Sequence, residues 1–208
     1  MKNILDFSLV PDLSYVKAWA ELDKDLIKAL DRLPNVLGRA KNAINFCARV
    51  SAESVCTQLR EGFLRAALLE FVSIEDVLIQ DLKNAKINSK PLKCYHTKNP
   101  MLHIIHELRN FEIHLHSGKL SSTTISAFWG NIEYPENASP IKHKVWMIDD
   151  LTEDGFSRLN NSMYYTKDQI KGLVEWFNTA QKEWGVNFLI HIAVESYCRA
   201  IVQQYSLL

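Results

Sequence analysis

Apolar residues recur at three- and four-residue spacing along most of this chain, the period of a helix with one buried face. After Pro11, a stripe of Leu13, Val16, Trp19, Ala20, Leu26, Ile27 and Leu30, interrupted by Asp23, predicts a helix that Pro34 should stop. Val36, Leu37, Ala40, Ile44 and Cys47 mark a second helix. The longest pattern runs from about Ser54 to Leu82, where Leu59, Phe63, Ala66, Ala67, Leu69, Val72, Ile74, Val77 and Leu78 are apolar around much of the circumference. Such a helix is buried on more than one side, against its own core or a partner subunit.

Residues 83–100, with two prolines and repeated Asn and Lys, read as a polar and mobile loop. A helix then starts near Asn99–Pro100, with proline tolerated in the first turn. It should end at Ser117–Gly118. Between Ser121 and Leu151 the pattern changes to two short β-branched and aromatic runs, TTISAFW and HKVWMID, around the turn EYPENASP. That is a β-hairpin, which needs the helices to pack on. Thr166-Lys167-Asp168-Gln169 is a capping-box pattern opening a helix with Ile170, Leu173, Val174, Phe177 and Ala180 inside. Gly185 is placed to break or kink it, and Phe188, Leu189, Ile192, Ala193, Tyr197, Ile201 and Val202 continue a last helix.

The sum is a mainly α fold, a bundle of about five to six helices with a β-hairpin insertion. The chain reads as one domain over 1–208: N-terminal helices in 1–50, core helices in 51–118, the insertion in 121–151 and C-terminal helices in 166–206. A length of 208 residues suits one sizeable core. The 7 glycines and 6 prolines are too few for a turn-rich sandwich or barrel.

Lys+Arg and Asp+Glu number 24 each, so the net charge is zero and no global field draws in nucleic acid or an anionic membrane. RNA binding would need a local patch, and self-association meets no charge repulsion. The cysteines Cys47, Cys56, Cys94 and Cys198 lack zinc-finger or redox spacing and read as reduced thiols. The N-terminus has charges and a proline where a signal peptide needs an apolar run, and no stretch approaches the ~20 apolar residues of a membrane span. A cytoplasmic protein without membrane contact is expected, and the sequons at Asn137 and Asn160 carry no weight. With no glycine-rich phosphate loop, dinucleotide fingerprint or nucleophile elbow, no cofactor is expected.

Chemistry concentrates between Met101 and His116, which hold His103, His106, His114 and His116 with Glu107, Arg109, Asn110 and Glu112. On a helix His103, His106, Glu107, Asn110 and His114 share one stripe, with Arg109 pointing off it and Leu102, Ile105, Leu108 and Leu115 on the apolar side. Arg109-Asn110-Phe111-Glu112-Ile113-His114 resembles the signature of HEPN domains: arginine, a polar residue, then histidine after a short gap. The preceding helix, LREGFLRAALLEFVSIEDVL, also has the look of that family's second core helix. The likeness covers about Ser54 to Gly118 and, by architecture, the last two helices; the hairpin lies outside the family's minimal core.

The resemblance implies a homodimer in which two copies of the motif face each other, and metal-independent cleavage of RNA, as in toxins and phage defence. It also implies a place for an antitoxin or defence-complex partner. Arg109, Asn110 and His114 would be the catalytic residues, with Arg65, Glu70, His106 and His116 as supporting ones. One departure concerns His116, which stands where a branch of toxins regulated by nucleotide attachment has a tyrosine; that regulation is not implied here. Histidine titrates near neutrality and can serve as base or acid, while arginine's fork of donors suits a phosphorane's oxygens. Products would carry 2′,3′-cyclic phosphate ends.

Two other functions compete. His103, His106 and Glu107 form a candidate zinc or ferrous site. A non-catalytic dimerisation or interaction module would keep the same fold, with the aromatic load, Trp129, Trp146, Trp176 and Trp184 included, as core or interface rather than base-stacking platforms. Asp149, Asp150, Glu153 and Asp154 read as a solvated turn and helix start.

Overall fold

Two long helices form an antiparallel pair. α2 (Pro34–Val50) and α3 (Thr57–Asn84) are stitched at both ends and the middle. At one end the Asp81 carboxylate of α3 accepts from the backbone N–H groups of Asn35 and Val36, both at 2.9 Å, and from Asn35 Nδ2 at 2.7 Å. Leu33 and Pro34 offer no side-chain cap, so a residue 46 positions away in sequence satisfies the helix's orphan donors. In the middle Arg39 grips Glu70 at 3.0 Å, and at the far end the rings of Phe46 and Phe63 stack at 6.2 Å. Pro34 thus opens α2 rather than closing the helix before it: α1 (Lys24–Ala29) ends in a 3-10 turn over Leu30–Arg32. Proline's missing N–H costs nothing at the first helical position.

The computed structural model describes residues 2–10, 21–52, 55–114, 119–127, 141–149 and 151–207, and of residues 112–114, 127 and 141 the backbone alone. The expected helical stretch at 13–20, Ser54, Trp129, the hairpin turn, Asp150 and the stop at Ser117–Gly118 lie outside the described residues. α3 buries Leu64, Ala67, Leu68, Phe71, Ile74, Leu78 and Leu82 along one stripe, while Leu59, Leu69 and Ile79 are exposed. Its apolar surplus is therefore outside the core of the single chain.

α4 (Pro100–His114) lies among α3, α6 (Lys167–Trp184) and α7 (Val186–Gln204). Thr166 and Gln169 make the capping box of α6: Gln169 N–H donates to Thr166 Oγ1 at 3.2 Å, and Thr166 N–H to Gln169 Oε1 at 2.8 Å. Gly185 takes φ +84, a left-handed conformation, and α6 and α7 diverge there by 111°. A side chain at Gly185 would also meet Val145 of the hairpin at 3.2 Å. No single described helix is long and apolar enough to cross a membrane.

β1 (Leu120–Ala127) and β2 (Ile141–Ile148) pair antiparallel, Leu120 opposite Ile148. The buried amide of Gln181 in α6 completes the edge of β2: its Oε1 accepts from Ile148 N–H at 2.9 Å and its Nε2 donates to Ile148 O at 3.0 Å. Trp146 packs under the Arg60 guanidinium, 4.4 Å from its ring centre, and Arg60 also donates to Val50 O. The short α5 (Glu153–Ser157) follows, its first turn carrying Glu153 and Asp154 as expected of a helix start.

The segment 83–100, expected to be mobile, begins inside α3, and its remainder is tied down by Tyr197 of α7 and by Tyr205 just past the end of that helix. Tyr205 Oη accepts from Leu92 N–H at 2.7 Å and donates to Lys90 O at 2.8 Å, and Tyr197 Oη donates to Leu92 O at 2.6 Å. Cys94 sits in a 3-10 turn (Cys94–His96) and is fully buried. All four cysteines are free thiols, three of them buried.

Candidate active site on helix α4

Asn99 starts α4 by accepting the Met101 N–H on its side-chain oxygen at 3.0 Å. From there the helix is buried on both kinds of face. Met101, Leu102, Ile104, Ile105, Leu108 and Phe111 enter the core, but His103 and Glu107 on the polar stripe are buried too. Buried polar groups need partners, and each finds them on a different element.

His103 is committed at both nitrogens. Nε2 lies 3.0 Å from Thr97 O, which can only accept, so Nε2 carries the proton; Nδ1 then accepts from Tyr165 Oη at 3.0 Å. Burial pushes His103 below its usual pKa and pushes the Tyr165 phenol far above its own, so the imidazole stays neutral and the phenol keeps its proton. A ring with both nitrogens engaged has no lone pair for a metal. The His103–His106–Glu107 metal site is not formed, and among the described residues no group of three His, Cys, Asp or Glu side chains is placed to hold an ion.

His106 sits between two carboxylates, with Nδ1 3.4 Å from Glu107 Oε1 and Nε2 3.8 Å from Glu75 Oε1. The ring of Tyr95 stands edge-on to it at 6.3 Å. Glu75 also accepts the Cys94 N–H at 2.6 Å, which pins the loop to α3.

Glu107, 3% exposed, accepts from Asn110 Nδ2 at 3.1 Å and from Asn161 Nδ2 at 3.0 Å. Burial raises its pKa, but His106, Asn110 and Asn161 together outweigh burial and hold the carboxyl below the usual range. Asn110 Oδ1 in turn accepts from Arg109 Nη1 at 3.0 Å. Arg109 thus folds back toward the polar stripe instead of pointing off it. Its Nε is buried with no hydrogen-bond partner among the described residues.

The structure therefore brings His106, Glu107, Arg109 and Asn110 into one half-buried cluster. His114 is the last residue of α4, one turn beyond Asn110, and its side chain lies outside the described residues, as does the whole of His116. Glu70 is taken by Arg39 and Asn42 of α2. It stands about 140° around α3 from Glu75, the residue that meets α4. Arg65 is exposed on the same helix. Two residues that meet the cluster from other elements, Glu75 and Asn161, were not singled out from sequence. Glu75 was open to detection, as a carboxylate on the inner stripe of α3. Asn161, in a 3-10 turn (Asn160–Tyr164), carried no local signal.

No protein-family model matches this chain, and no curated protein or solved structure matches it either.

Proposed function

We propose that the chain is a HEPN-like, metal-independent endoribonuclease whose site forms from Arg109 and His114 of two copies of the chain. The observation that carries this is the held guanidinium: Arg109 donates to Asn110, which donates to the buried Glu107. An arginine held by an amide of its own helix keeps its charge for an anion. The mainly α bundle and the motif's place at the end of a core helix support the same assignment.

In the reaction the 2′-oxygen attacks the adjacent phosphorus while His114 takes the 2′ proton. The P–O5′ bond breaks as the partner's His114 delivers a proton to the leaving oxygen. The products are a 2′,3′-cyclic phosphate and a 5′-hydroxyl, and the two histidines exchange their roles by proton transfer with water. Arg109 stabilises the charge that gathers on the phosphorane's oxygens. One chain carries one motif histidine, so a two-fold pair supplies both acid and base.

The test is total RNA incubated with the protein in EDTA, comparing wild type with Arg109→Ala and His114→Ala. Cutting by wild type alone supports the proposal. Intact RNA with all three proteins, each folded and dimeric, would assign the chain instead to a non-catalytic interaction module.

A further inference from the structure

We propose that Glu107 is a positioning residue, whose carboxylate turns the amide of Asn110 so that its carbonyl end holds the Arg109 guanidinium. The inference rests on the proposed role of Arg109 in binding a phosphate, and names what sets that arginine's direction.

The geometry follows from donor and acceptor types. An ionised carboxylate only accepts, so the Asn110 atom 3.1 Å from Glu107 Oε2 must be the amide nitrogen. The other end of that amide, an acceptor, then faces away from Glu107, and there Arg109 Nη1 meets it at 3.0 Å. A reversed amide would set two acceptors against each other at Glu107 and two donors against each other at Arg109.

Glu107 itself is unable to turn. Its Oε1 accepts from Asn161 Nδ2 at 3.0 Å and lies 3.4 Å from His106 Nδ1. Asn161 belongs to the 3-10 turn that follows α5, 54 residues further along the chain. The guanidinium is thereby referenced to a second element and not to α4 alone. Burying a carboxylate is costly, and an apolar residue of similar volume often serves stability as well. Orientation of Asn110 and Arg109 is the function that an apolar replacement would not supply.

Glu107→Leu keeps most of the volume but removes both acceptors, so nothing selects which end of the Asn110 amide faces Arg109. Two measurements test the role. In nitrogen-15 spectra of the Arg109 guanidinium, the wild type should show restricted rotation with resolved Nη signals, and Glu107→Leu and Asn110→Ala should both collapse them. In RNA cleavage, Glu107→Leu should lower kcat about tenfold with KM little changed, an effect of the size seen between touching residues. The double variant should be no slower than Asn110→Ala, because Glu107 acts through Asn110. Urea unfolding confirms that each variant is folded at the assay temperature.

Multiplying losses in the double variant, with wild type active, would overturn the positioning role and leave the nuclease proposal standing. If wild type cuts no RNA, that proposal falls and the guanidinium spectra decide the positioning role alone. A freely rotating Arg109 in wild type overturns it.

Discussion

Replacing Asp81 separates two contributions that are usually confounded, the acceptor that ends a helix and the charge it carries. Asp81 is fully buried and holds the backbone N–H groups of Asn35 and Val36 on one oxygen and the Asn35 side chain on the other. In Asp81→Ala the buried backbone donor of Val36 and the part-buried one of Asn35 both lose their partner. The buried Val36 orphan costs about 1–3 kcal/mol, the part-buried Asn35 orphan less, and the lost charge at the helix N-terminus about 1 kcal/mol more. Removing a desolvated carboxylate gives part of that back, so a net loss of about 3 kcal/mol is expected. In Asp81→Asn the remaining carbonyl oxygen still accepts from both N–H groups, and the new amide nitrogen can face Asn35 Oδ1 once that side chain turns over. Only the charge at the helix N-terminus is lost, about 1 kcal/mol. Urea unfolding reads both. With a slope of about 2 kcal/mol/M, the Ala midpoint should fall by about 1.5 M and the Asn midpoint by about 0.5 M. Equal losses for the two variants, or an Ala loss under about 1 kcal/mol, would refute the reasoning.

Two further predictions concern the surroundings of the site. His103 has a folded pKa below its ordinary 6.5, so between the two values the unfolded chain binds a proton that the folded chain refuses; its contribution to stability is complete above 6.5 and declines as the pH falls through that value. Urea midpoints from pH 7.5 to 5.5 should drop in wild type and drop less in His103→Gln; parallel slopes would contradict the burial of a neutral ring. Gln181→Leu, which removes the amide that completes the edge of β2, should cost about 2 kcal/mol and speed exchange of the Ile148 amide proton. Unchanged exchange at Ile148 would show that the hairpin docks by its apolar face without Gln181.

Helices written as one-sided stripes were legible, and so was the hairpin, because α2, α6 and α7 bury the face their spacing marks. The capping box at Thr166 and the break at Gly185 are local features, and both appear where the residues place them. What was misread depends on distant partners. Pro34 looked like a stop because its true role needs Asp81, 45 positions from Val36, to receive the donors behind it. The loop before α4 looked mobile because its anchors are two tyrosine hydroxyls, Tyr197 in α7 and Tyr205 just past its end, more than 100 residues away. At the site, periodicity correctly gathered His103, His106, Glu107 and Asn110 onto one stripe. It did not show that the stripe is buried, that His103 is spent on Thr97 and Tyr165, or that Asn161 reaches back to Glu107. A polar helix face reads as solvated unless the partners that satisfy it are known.

In the proposed reaction RNA is cut by its own 2′-hydroxyl, with Arg109 and His114 assisting and no metal taking part. The most direct measurement uses two defined oligonucleotides in EDTA, one all-RNA and one with a single 2′-deoxy sugar on the 5′ side of the cleaved bond. This chemistry requires that the all-RNA strand is cut to a 2′,3′-cyclic phosphate end, resolved by mass, and that the substituted strand stays intact at that bond. Cutting of the substituted strand at the same bond, or no cutting of either by folded wild-type dimer, would contradict it.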